Sequence, residues 1–135
     1  MRVRFALCGV ALCLCLVPIL SAQDAVKTDP KHYSVISEND QVRILKVHYG
    51  PHEKSIMHSH PNAVAVFLSS ECKGKFTFPD GKTQDFTCKA GDALYTPAGT
   101  HLPENTGDEP FDVILVELKG HAKQAMKSEM KSEMK

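Results

Sequence analysis

The chain has no surplus of charge in either direction, with 16 Lys and Arg against 16 Asp and Glu. No basic stripe disturbs that balance, so neither nucleic acid nor an anionic membrane is an expected partner. A glycine-rich phosphate loop ahead of a helix is missing, and no Ser, His, Asp order points to a hydrolytic triad. No apolar run reaches the ~20 residues needed to cross hydrocarbon. The body of the chain lacks a sustained 3.6-residue pattern, which argues against a helical fold.

The N-terminus carries Arg2 and Arg4, then an apolar run from Phe5 to Leu20 broken by Pro18 and closed by Ser21-Ala22-Gln23-Asp24. This is the three-part layout of a secretory signal over residues 1–22, with cleavage expected after Ala22. A transmembrane anchor is the other reading, and the run is short for it. Cys8, Cys13 and Cys15 lie inside the run, without the small residues that precede a lipidated cysteine, and leave with the signal. Export to the periplasm or the extracellular space is therefore expected. The remaining 113 of 135 residues, with 14 basic and 16 acidic side chains, make one domain of ordinary size.

Residues 23–40 read as a lead-in with one edge strand around Tyr33 to Ile36, and folding proper is expected to start near Gln41. The domain is placed at 41–119. Strands are expected over Val42 to Tyr49, Ser55 to Ser59, Ala63 to Ser69, Cys72 to Phe78, Lys82 to Cys88, Ala93 to Thr96 and Phe111 to Leu118, separated by Pro, Gly, Asn and Asp. Short strands at even spacing give an all-β class, an antiparallel sandwich or barrel. Residues 120–135, with Met-Lys-Ser-Glu repeating at Met126 and Met130, read as a low-complexity, solvated tail.

The stretch Cys72 to Cys88 alternates apolar and polar on both sides of Pro79-Asp80-Gly81, as a hairpin does. A three-residue loop with Gly81 in the left-handed position pairs Phe78 with Lys82, Phe76 with Gln84, Gly74 with Phe86 and Cys72 with Cys88. Opposed cysteines are close enough to bridge, and an oxidising compartment favours a disulfide. A two-residue Asp-Gly loop would shift the register by one and separate them as free thiols.

Seven histidines survive removal of the leader. His58 and His60 are two apart, so on a strand both imidazoles face one side and can reach one ion. By itself a His-x-His is more often a pair of ordinary surface or core histidines. Its surroundings add weight. Gly50 precedes it, Gly74 follows the next strand, and Gly91 opens a run that continues through Pro97-Ala98-Gly99, His101 and Asn105.

These residues resemble the two signature motifs of the cupin family over Gly50 to Asn105. The resemblance implies a double-stranded β-helix, a jelly-roll-like barrel, with a divalent metal on His58, His60 and His101. The family's glutamate ligand is missing, with Val64 or Ala65 in its place. The first glycine also stands further from the His-x-His than usual, and Gly99 is one residue from His101 where two are common. Water, His52, Glu53 or Glu104 are candidates for the vacant position. Three neutral imidazoles suit Fe, Zn, Ni or Cu, and open positions suit catalysis more than a structural role. Alternation from His60 predicts a pocket lined by Val64, Val66 and Leu68 with Phe76, Phe78 and Phe86, and Tyr95 and His48 at the rim. A small, partly apolar ligand fits such walls. Two function classes follow: a metal-dependent enzyme, dioxygenase-like before isomerase or hydrolase, or a non-catalytic binding barrel with a degenerate metal site. Cupins often pair through sheet edges, so a homodimer is an expectation of the same kind.

Overall fold

The computed structural model describes residues 23–120. The expected leader over 1–22 and the Met-Lys-Ser-Glu repeats lie outside the described residues. One helical turn, α1 (Ala25–Thr28), precedes nine strands: β1 (Tyr33–Glu38), β2 (Val42–Tyr49), β3 (His58–His60), β4 (Ala63–Phe67), β5 (Glu71–Thr77), β6 (Thr83–Lys89), β7 (Ala93–Thr96), β8 (Gly99–Asn105) and β9 (Phe111–Leu118). They form two antiparallel sheets in the orders β1-β2-β9-β4-β7 and β3-β8-β5-β6. The all-β expectation holds, and the arrangement is that of a double-stranded β-helix.

Strand alternation explains the core. Along β9, Phe111, Val113, Leu115 and Glu117 are buried while their neighbours are half-buried, and β9 is paired with β2 from Val42–Leu118 to Tyr49–Phe111. Leu45, Val47 and Tyr49 of β2 and Ala63 and Phe67 of β4 join the same interior. Glu117 is buried among them because Arg43 Nε donates to its Oε2 at 2.6 Å.

The β5–β6 hairpin has the expected register, with Cys72 opposite Cys88, Gly74 opposite Phe86 and Phe76 opposite Gln84. Phe78 N donates to the Lys82 carbonyl at 2.9 Å, and Gly81 takes the left-handed conformation at φ 82°. The Cys72–Cys88 disulfide closes the base of this hairpin, with Cα atoms 5.0 Å apart.

Four local expectations are corrected. Residues 24–40 already belong to the folded unit expected from near Gln41, because the Asp24 carboxylate caps α1 through Val26 N and Lys27 N and also accepts from Arg43. Ala25, Asp29, His32 and Tyr33 are consequently buried. The strand expected over Ser55 to Ser59 shrinks to His58–His60, since the Ile56 carbonyl accepts from the His58 ring. The Pro61-Asn62 turn carries the chain from one sheet to the other, so alternation does not run on from His60. Finally, Gly99–Asn105, where no strand is expected, is strand β8. Its Pro103 is tolerated because β8 pairs with β3 only through Gly99–His101 and with β5 through Leu102–Asn105.

Candidate metal and ligand site

His58 and His60 point to the same face of β3, buried at 2% and 7% exposure. β8 lies antiparallel beside it and sets His101 directly across from His58. The ring centres of His58 and His101 are 5.3 Å apart, and those of His60 and His101 are 4.7 Å apart. Imidazoles that share one ion at the usual bond length have centres about 5 Å apart, so both contacts are of the right size.

Backbone carbonyls fix the tautomers of two rings. His58 Nδ1 donates to the Ile56 carbonyl at 2.8 Å, and His60 Nδ1 donates to the Pro61 carbonyl at 2.7 Å. A carbonyl only accepts, so each Nδ1 carries a proton, and in the neutral ring the lone pair is on Nε2, the form a metal needs. His101 is held differently, stacked on Phe76 at 4.7 Å with 13° between the planes. Burial first, then the neighbouring His60 and His58, push its pKa down to about 3. Burial also lowers His58, partly opposed by the Ile56 carbonyl. Both are therefore neutral at neutral pH.

Behind His58 lies a buried polar knot that connects the N-terminal segment to the barrel. Asp29 Oδ2 accepts from Ser55 Oγ at 2.6 Å and from His32 Nδ1 at 2.7 Å. Ser55 Oγ is also 3.4 Å from His58 Nδ1. His32 Nε2 meets Glu53 at 3.1 Å, and its ring stacks on Tyr49 at 4.4 Å. The Tyr49 hydroxyl meets that of Tyr33 at 2.8 Å, while the Tyr33 ring stands edge-on to His58 at 4.8 Å. Burial raises the Asp29 carboxyl, but its bonds from Ser55 and His32 more than offset this and hold it below its usual value. Burial, and then the paired hydroxyl of Tyr49, raise Tyr33 far above the ordinary phenol range.

In front of the histidines a cavity of about 580 Å³ is lined by Phe67, Phe76, Phe78, Phe86, Phe111, Leu94 and others, with no Lys, Arg, Asp or Glu among the described lining residues. His58, His60 and His101 sit in its wall, Phe76 lines it as expected, and Tyr95, 62% exposed, borders it. Val64 and Val66 do not line it. The sheet change at Pro61-Asn62 turns Ala63, Ala65 and Phe67 inward instead, and Leu68 is exposed. Ala65, one of the two positions where the family's glutamate would stand, contributes only a methyl group to the cavity.

The three candidate fourth ligands stand elsewhere. His52 pairs with Asp108 at the surface, Glu104 faces Lys75 at 3.3 Å, and Glu53 is committed to Lys31, His32 and the Gly50 N–H. The bond from Lys31, then that from Gly50, bring the Glu53 carboxyl down to about 2. His48 pairs with Asp112 on the outer face. The donor chemistry of the three site histidines thus fits a divalent transition metal, although among the described residues no three His, Cys, Asp or Glu side chains are already gathered closely enough to hold an ion. Asp29, His32, Tyr33, Tyr49 and Ser55 were not singled out from sequence. Asp29 and Ser55 are 26 residues apart, and only the alternation of Val42 to Tyr49 hinted that Tyr49 faces inward.

Comparison with known proteins agrees with the fold. A cupin-domain family model matches residues 45–117. The chain is similar to a cupin domain from Bordetella pertussis Tohama I, with 21% identity over 65% of this chain and 92% of that one and a TM-score of 0.60. It is also similar to a protein with a double-stranded β-helix domain from Klebsiella pneumoniae, with 27% identity over 67% of this chain and 77% of that one and a TM-score of 0.52. No curated protein matches the chain. The chain belongs to the cupin family.

Proposed function

We propose that this cupin is an exported protein that holds one divalent transition metal on His58, His60 and His101 and binds or transforms a small molecule in the adjoining cavity. The observation that carries the reading is the pair of Nδ1 bonds to the Ile56 and Pro61 carbonyls, which leave both Nε2 atoms as donors beside a third neutral imidazole. When bound, an ion with three neutral ligands and open positions supplies Lewis-acid chemistry or, as Fe or Cu, redox chemistry. The protein's own groups hold the rings, exclude water and shape the cavity.

Dioxygenase-like chemistry is favoured over isomerase or hydrolase chemistry. Those two need a general acid or base that titrates near the working pH. Here Tyr33 is raised far above the ordinary phenol range, and no described carboxylate lines the cavity. The non-catalytic binding barrel is the second reading, supported by the lack of a preformed group of three ligands among the described residues. The sequence of residues 1–22 supports export, and the Cys72–Cys88 disulfide is in keeping with an oxidising compartment.

Elemental analysis of the mature, untagged protein tests the metal. About one ion per chain is expected, lost in a His58→Ala/His101→Ala double variant that still folds. No uptake on titration with Fe(II), Zn(II), Ni(II) or Cu(II) would leave the binding barrel.

A further inference from the structure

We infer that the cavity receives an uncharged aromatic molecule, lying against a wall of stacked rings with a polar edge turned toward the histidines. This deepens the proposed function and rests on the same cavity being the working site. Three observations carry it. The first is charge: no described Lys, Arg, Asp or Glu lines the cavity. A carboxylate, phosphate or ammonium group entering this space would lose its water and find no partner, which is costly.

The second observation is shape and chemistry of the wall. His101, Phe76 and Phe86 form a run of stacked rings, with centres 4.7 Å and 4.6 Å apart and planes 13° and 22° apart. Phe67 and Phe111 flank Phe86 at 6.2 Å and 6.4 Å, the first tilted by 48° and the second edge-on at 77°. Aromatic partners gain from such rings beyond the area they bury, and saturated ones do not. The third observation is the distribution of polar atoms. The phenols of Tyr33 and Tyr49 are engaged with each other and the Thr100 hydroxyl with Ser59; of the remaining polar lining groups, Gln84, Tyr95 and Thr96 join the three histidines, and the histidines are the buried or half-buried cluster of three to which a ligand oxygen is assigned. A volume of about 580 Å³ accommodates a molecule of one or two fused rings.

Calorimetric titration of the chelator-treated mature chain at neutral pH tests this with three probes of similar size: naphthol, naphthoate and decalol. Naphthol should bind one per chain. Naphthoate should bind about tenfold or more weakly, because its carboxylate is unpaired, and saturated decalol about threefold or more weakly. Ala65→Phe, which narrows the cavity, should remove naphthol binding. Should that variant fail to fold, Phe76→Leu should weaken naphthol more than decalol. Naphthoate or decalol binding as tightly as naphthol, or no binding by naphthol, overturns the inference. Because these titrations use metal-free protein, naphthol binding without metal uptake would remove only the metal from the proposed function. Metal uptake without naphthol binding would remove only the aromatic ligand.

Discussion

The two sides of the histidine cluster are built on opposite principles. Behind His58, nearly every polar atom has a partner: Asp29 serves both Ser55 and His32, His32 also reaches Glu53, and the Tyr33 and Tyr49 hydroxyls meet each other. In front, His101 is held by ring contacts with Phe76, His58 and His60, and the walls are largely aromatic and aliphatic. A saturated network is rigid because each bond fixes the next, whereas an apolar wall leaves room and offers no partner to a charge that enters. In the proposed function the rear steadies the His58 ring and the front receives the ligand. The contrast also gives the N-terminal segment a reason to be there. Asp29, His32 and Tyr33 lie before the family-matched residues 45–117, yet they make up much of the rear.

The harshest way to break the contrast is to remove the centre of the rear network. Asp29→Ala leaves Ser55 and His32 without their shared acceptor at a site where Asp29 is 4% exposed. The expected cost is about 3 to 5 kcal/mol in urea unfolding, with loosening of the 24–33 segment to proteolysis. A loss below about 1 kcal/mol would show that the knot is solvated and that the rear is no more rigid than the front.

Acid should separate the two sides next. His101 has a folded value of about 3 against about 6.5 in an unfolded chain, so the unfolded state takes up more protons in between. Stability of the metal-free protein is therefore full above about pH 6.5 and falls as the pH drops toward 3, by about 2 to 3 kcal/mol at pH 4. Asp29, whose folded value is lowered, adds its own loss only below about pH 4, as the pH passes through that value. Urea midpoints measured at pH 7, 5 and 4 on chelator-treated protein check the order. A flat profile down to pH 4 would mean that His101 is open to water.

How far the site could be read in advance follows the same division. The hairpin register, the disulfide and the inward Phe76, Phe78 and Phe86 were legible, because alternation and turn chemistry are local and one glycine, Gly81, fixes the count. His58, His60 and His101 were legible through motif resemblance. Val64 and Val66 were misplaced because a period-two argument fails where the chain changes sheets at Pro61-Asn62, an event with no local signature. Strand β8 was hidden by Pro103, whose tolerance depends on β3 and β5 sharing the strand between them. The rear network was not legible at all. Its members come from the lead-in, from the irregular stretch around Ser55 and from the end of β2, and each is an unremarkable residue until the fold joins them.

The front can be disturbed on its own through Gly74. A Cβ at this position would stand 2.2 Å from Phe86 Cζ, so Gly74→Ala forces the Phe86 ring aside and, through the stack, moves Phe76 and His101. The cost should be about 1 to 3 kcal/mol, smaller than for Asp29→Ala, because an apolar wall can repack where a hydrogen-bonded knot cannot. In NMR spectra the His101 ring protons should shift as their ring-current environment changes, while the His58 ring, pinned to the Ile56 carbonyl, should hold its position. Stability losses of Gly74→Ala and Asp29→Ala should add in the double variant, since none of the described hydrogen bonds or ring contacts of Asp29 involves Phe86. Strong non-additivity, or a His58 shift as large as that of His101, would show the two sides to be one mechanical unit, and the division of labour between them would have to be given up.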